Sequence, residues 1–138
     1  MIHRVLLVIV LLVAGCGVRP SSVVEGGPAP TVAAGATLFL VSGGHVTPVL
    51  RPKPDSSDLL ALLAAGPTAV ERDQGYTSEV PAGVALSAAA SEVSVSVDVR
   101  SLSALAVDQI VCTAAPDSTP VTLVGGGASR GSQVCPVR

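Results

Sequence analysis

Residues 92–114 read EVSVSVDVRSLSALAVDQIVCTA, and the period of their apolar side chains changes near Ser101. Val93, Val95, Val97 and Val99 fall on one face of an extended chain, with Ser94, Ser96, Asp98 and Arg100 on the other. From there on the spacing is helical. Leu102, Leu105, Ala106, Ile110 and Thr113 form one stripe, which Val107, Val111 and Ala114 widen. Ser101 or Ser103 can cap this helix, which is predicted from about Leu102 to Ala114, and Pro116 ends it. A strand with one apolar face, followed by a helix with a broad one, calls for a sheet packed against helices.

The flanking sequence supplies the other elements. Thr37 to Val41 suits a buried strand, and Val46 to Leu50 a second. Gly43 and Gly44 between them mark a hairpin, because glycine accepts the φ angles of a tight turn. Arg51-Pro52-Lys53-Pro54 ends that strand. Asp55, Ser56, Ser57 or Asp58 can then cap a helix over Leu59 to Ala65, whose leucines at 59, 60, 62 and 63 must pack against something. Gly66 and Pro67 stop it. Thr68 and Glu71 fit a capping box over one short turn that ends before Gly75. Tyr76 to Pro81 reads as an extended connection and Val84 to Ser87 as a strand. Thr119 to Val124 is a last strand, and Gly125-Gly126-Gly127 a flexible excursion. The predicted order is β-β-α-β-β-α-β over residues 37–138: an α+β domain, a small mixed sheet with two helices packed on one face.

The amino-terminal residues follow a different pattern. His3 and Arg4 precede an unbroken apolar run from Val5 to Ala14. A ten-residue helix spans about 15 Å, half of a ~30 Å hydrocarbon core, which suits a secretory signal rather than a membrane span. Val13-Ala14-Gly15-Cys16 closes the run and resembles the lipobox of bacterial lipoproteins. That resemblance implies cleavage before Cys16 and a diacylglycerol on its thiol, with palmitate among the expected acyl chains. The alternative is an ordinary signal peptide with an incidental cysteine. On the lipobox reading residues 1–15 are the signal peptide and 16–36 a lipidated cysteine with a Gly/Pro/Ala-rich tether. The tether would reach about 25 Å from the outer face of the cell membrane. Two acyl chains hold durably where one is marginal.

Composition narrows the partners. The net charge is −2, and removal of residues 1–15 leaves seven basic against ten acidic side chains. No basic run is present, and Phe39 and Tyr76 are the only aromatic residues, so the sequence has neither the charge nor the stacking platform for nucleic acid. A mildly acidic chain is not drawn to anionic lipid, so the expected anchor is the lipid itself.

Cys112 and Cys135 remain for the exported part. An even remainder in an oxidising compartment reads as a disulfide, worth roughly 3–4 kcal/mol for a loop of this length. Free thiols and a metal site with His45 are the alternatives, although two cysteines without a close pair argue weakly for zinc. No cofactor is expected. Gly125-Gly126-Gly127 lacks the Lys-Ser/Thr of a phosphate loop, and no Gly-x-Ser-x-Gly elbow is present. Asp55 and Asp58 suit a helix start, Glu71 a cap, and His45, Arg51 and Lys53 solvated surface.

One stretch carries a family resemblance. Leu62-Leu63, Gly66-Pro67-Thr68, Glu71, Gly75-Tyr76-Thr77-Ser78 and Val80-Pro81 read as L-L-x-x-G-P-T-x-x-E-x-x-x-G-Y-x-S-x-V-P. This resembles the GerMN domain, over residues 37–124, in company with the preceding hairpin, the valine strand and the helix holding Gln109-Ile110-Val111. The Cys112/Cys135 pair and the short Gly-rich tail depart from it. The resemblance implies a non-enzymatic domain on the outer face of the membrane, taking part in envelope protein assemblies. In spore formers such domains belong to sporulation or germination machinery.

Two functional expectations follow: an interaction module that docks an envelope or membrane protein, and a small lipoprotein that binds a ligand or wall fragment.

Overall fold

The computed structural model describes residues 35–52 and 59–137. The expected signal peptide, Cys16, most of the tether and the candidate caps at 55–58 lie outside the described residues. The protein is α+β. Strand β1 (Gly35–Ser42) and strand β2 (His45–Pro52) form an antiparallel hairpin across Gly43-Gly44. Helix α1 (Leu59–Ala64) and helix α2 (Ala69–Asp73) follow, then β3 (Leu86–Ala89) and β4 (Glu92–Val95), a 3-10 turn at Val99–Ser101, helix α3 (Ala104–Ala114), and strands β5 (Val121–Gly125) and β6 (Ala128–Gln133).

The strands divide between two sheets, the β1-β2 hairpin and a four-stranded sheet in the order β3-β4-β5-β6. Mixed pairing belongs to the second: β3-β4 and β5-β6 are antiparallel, and β4-β5 is parallel. The parallel pair is joined through α3, as a parallel connection requires. Helix α3 packs on β1, while α1 packs on β1, β3 and α3. Leu38 to Val41 are all buried, which explains why this strand is a continuous apolar run rather than an alternating one. Leu86, Val93, Val95, Val121 and Leu123 bring the inner face of the larger sheet into the same core as Ala106, Ile110 and Val111.

Four expectations need correction. The valine alternation does run to Val99, which is buried, but the ladder stops at Val95. The Asp98 carboxylate accepts the Arg100 N–H at 2.9 Å and turns the chain into the 3-10 element that leads to α3. Ser103, rather than Ser101, caps α3, accepting the Ala106 N–H at 3.1 Å, so Leu102 precedes the helix. The glycine triplet is no loose excursion. Gly126 and Gly127, at φ +63 and +75, make the turn into a sixth strand that the sequence reading does not include. Gly125 sits where a Cβ would lie 2.3 Å from the Val97 carbonyl oxygen and 2.4 Å from that of Val95. β3 also starts two residues later than expected, at Leu86.

Cys112 and Cys135 are both buried, with sulfurs 1.95 Å apart and Cα atoms 4.6 Å apart. The pair links the last turns of α3 to the tail after β6.

Gly125→Ala is expected to lower unfolding stability by about 2 kcal/mol, because backbone carbonyls must move to admit one methyl group. A urea titration beside Gly131→Ala, where a Cβ meets nothing within 4 Å, checks it.

Candidate functional site

The residues of the motif converge. Helix α1 ends in two bonds, Ala65 N–H to the Ala61 carbonyl at 3.0 Å and Gly66 N–H to the Leu63 carbonyl at 2.9 Å, with Gly66 at φ +76. That geometry favours glycine and turns the chain toward Pro67 and Thr68. Thr68 then caps α2 with a complete capping box. Its hydroxyl accepts the Glu71 N–H at 3.3 Å, and its own N–H donates to Glu71 Oε2 at 2.6 Å.

Glu71 does more than cap. Arg51, near the end of β2, donates from Nε to Glu71 Oε1 at 2.7 Å and from Nη2 to Oε2, a two-pronged pairing. Nη2 also donates to the Gly66 carbonyl at 2.9 Å. The Arg51 and Glu71 side chains are only 11% and 9% exposed. Arg51 thus ties the hairpin to the end of α1 and the start of α2. The sequence places it only on solvated surface, since an arginine beside Pro52 carries no local mark of a partner twenty residues on. The Arg51 hydrogen bonds lower the Glu71 pKa from 4.5 to about 2, with the Thr68 N–H adding to them against the desolvation that raises it.

A second polar node is built on α3, at residues outside the sequence motif. Gln109 of α3 is fully buried. Its Nε2 donates to the Phe39 carbonyl at 3.0 Å, and its Oε1 accepts the Glu79 N–H at 2.8 Å. One turn on, the Thr113 hydroxyl accepts the Phe39 N–H at 3.3 Å. The two side chains sit four apart on one helix face and take both backbone groups of Phe39. Val41 N–H and carbonyl are taken by Thr77 at 2.9 and 2.8 Å. The signal in the sequence was a glutamine inside an otherwise apolar helical stripe.

A cavity of about 350 Å³ lies beside the end of α1 and the segment that follows α2. Pro67, Arg72, Tyr76, Ser78 and Val80 are among its lining residues. Arg72 Nη1 donates to the Pro67 carbonyl at 2.6 Å. Its lining is largely apolar and includes the exposed, charged Arg72.

The remaining candidates lie elsewhere. Gly75 turns the chain after α2 at φ +87, and Pro81 is exposed and accepts the Val84 N–H at 3.3 Å. His45 is exposed at the start of β2. Cys112 and Cys135 belong to the far end of α3 rather than to the motif. Among the described residues no cluster of three His, Cys, Asp or Glu side chains could hold a metal. Burial raises the Asp108 pKa, whereas hydrogen bonds from Arg100 and from Thr119 lower those of Asp98 and Asp117.

No protein-family model, no curated protein and no solved structure matches the chain.

Arg51→Ala is expected to cost about 3 kcal/mol, because it leaves the Glu71 carboxylate largely buried without its counter-charge. The pH dependence follows in sign. The Glu71 pKa is depressed on folding, so its contribution is complete above the unfolded value near 4.5 and fades as pH falls toward about 2. Glu71→Gln should flatten stability over that window, and urea midpoints measured from pH 6 to pH 2 test both statements.

Proposed function

We propose that the chain is a lipid-anchored, GerMN-like lipoprotein on the outer face of the cell membrane, working as a non-enzymatic interaction or assembly module of the envelope. The observation that carries the reading is the cysteine pair. Cys112 and Cys135 stand at bonding distance within the core, a state that persists outside the reducing cytoplasm. It agrees with the apolar run and Val13-Ala14-Gly15-Cys16, which mark the chain for export and lipidation. The polar residues of the G-P-T-x-x-E block support the family reading, because they bind one another and Arg51 and so give the motif a structural reason. A module of this kind acts through its surface, with the tether letting it reach partners above the bilayer.

A second reading is favoured by one observation, the cavity beside Pro67 and Tyr76. A small apolar ligand or wall fragment with an acidic group would suit its largely apolar lining and Arg72. A thermal-shift screen with such fragments separates the two, since a ligand that binds only the folded state raises the melting temperature.

Cys16→Ala is expected to move the protein from the membrane into soluble or precursor fractions, with loss of the fatty acyl mass at the amino terminus. Membrane retention through a carbonate wash would overturn the anchor. Cys112→Ser is expected to lose roughly 3 kcal/mol in non-reducing buffer and to become insensitive to added reductant.

A further inference from the structure

Four strand edges among the described residues have no neighbouring strand, on β1, β2, β3 and β6, and they are not alike. The outer edge of β1 is already taken by Thr77, Gln109 and Thr113. On β2, Pro48 and Pro52 stand opposite Phe39 and Gly35. Phe39 and Val41 send their backbone groups away from β2, so by the alternation the missing proline donors lie on the outer side of β2. That edge is blocked in the usual way. On β6, a register shift between Val121 and Leu123 and Ser132 at φ +51 break the line of the strand.

β3 has no such guard. Its sequence is Leu86-Ser87-Ala88-Ala89, without charge or proline, and Ser87, Ala88 and Ala89 are exposed. Ala89 pairs with Glu92 across a two-residue turn, and the Ser96 N–H donates to the Ala85 carbonyl at 3.0 Å. The alternation between those two points directs the N–H and carbonyl groups of Leu86 and Ala88 outward. Among the described residues nothing bonds to them.

We infer that β3 is a self-pairing edge, along which two copies of this chain join antiparallel about a two-fold axis at Ser87. The edge is self-complementary. Leu86 of one copy faces Ala88 of the other, and the two such pairs exchange four backbone hydrogen bonds. Ser87 then meets Ser87 of the second copy at the narrow spacing of about 4.5 Å between Cα atoms. A small hydroxyl is accommodated there, where a pair of like charges would repel. Four-residue strands bury far less than the roughly 1,000 Å² of a stable interface, so the pairing depends on local concentration. A membrane tether supplies that concentration. The inference deepens the interaction-module reading and rests on it, with a second copy as the partner.

The test uses the full-length chain in native membranes. Ser87→Cys should give a covalent homodimer on mild oxidation, at a yield about tenfold above that of Ser129→Cys, an exposed control on β6. Adding Ala88→Pro removes one outward donor per copy and should lower the yield about tenfold, with the melting temperature confirming that the variant is folded. Independently, Ser87→Lys should abolish energy transfer between labelled copies in vesicles. Equal yields at positions 87 and 129, unchanged energy transfer in Ser87→Lys, or linkage of Cys-substituted position 87 to a different protein would each overturn self-pairing. If Cys16→Ala still releases the protein from the membrane, that failure leaves the anchor reading standing.

Discussion

The fold depends on the way α3 holds the backbone of Phe39. A buried strand edge needs partners for its N–H and carbonyl groups, since each one left unmade costs about 1–3 kcal/mol. Here a third strand does not supply them. Thr113 accepts the Phe39 N–H, Gln109 donates to the carbonyl, and Gln109 turns its own oxygen to the Glu79 N–H. One glutamine thereby fixes helix, strand and connecting segment together. It also accounts for the division into two sheets. β1 is closed on one side by β2 and on the other by side chains and by Thr77, so the larger sheet is built separately from β3 to β6.

The Arg51–Glu71 pair adds a second constraint at the surface of that core. Its geometry makes the capping box of α2 part of a tertiary link, because the carboxylate that satisfies the helix start also receives the guanidinium from β2. Gly66 belongs to the same link through its carbonyl. The order Gly66-Pro67-Thr68-x-x-Glu71 therefore has a physical reason. Glycine makes the turn, threonine and glutamate cap, and the glutamate reaches a cation brought in by the hairpin. A cavity lies beside this link, lined by Gly66, Pro67 and Arg72 among others.

Much of this was legible in the residues. The α+β class, the Gly43-Gly44 hairpin, the α1 stop, the capping box and the helix over the apolar stripe all rest on local chemistry: period, capping and turn preference. The expected pairing of Cys112 with Cys135 also agrees with their positions at bonding distance. What was not legible is long-range. Arg51 looked solvated because Glu71 is distant in sequence. Gly125-Gly126-Gly127 looked loose because a close backbone approach leaves the same glycines as flexibility does. The valine alternation looked like a nine-residue strand because burial of Val99 continues after the ladder has ended.

Taken alone, the chain's order of residues determined most of the strands and helices and which of their faces are apolar, because these depend on neighbours within a few positions. It also carries the apolar run and the Val13-Ala14-Gly15-Cys16 stretch on which the proposed export and lipidation rest. Only the tertiary structure decided that the strands form two sheets, that a sixth strand closes the carboxy-terminal end, and that Gln109, Thr113 and Arg51 hold distant segments together. The reason is physical. Polar partners for a buried backbone group or charge are chosen by distance in space, and a side chain bears no local trace of the partner it will meet.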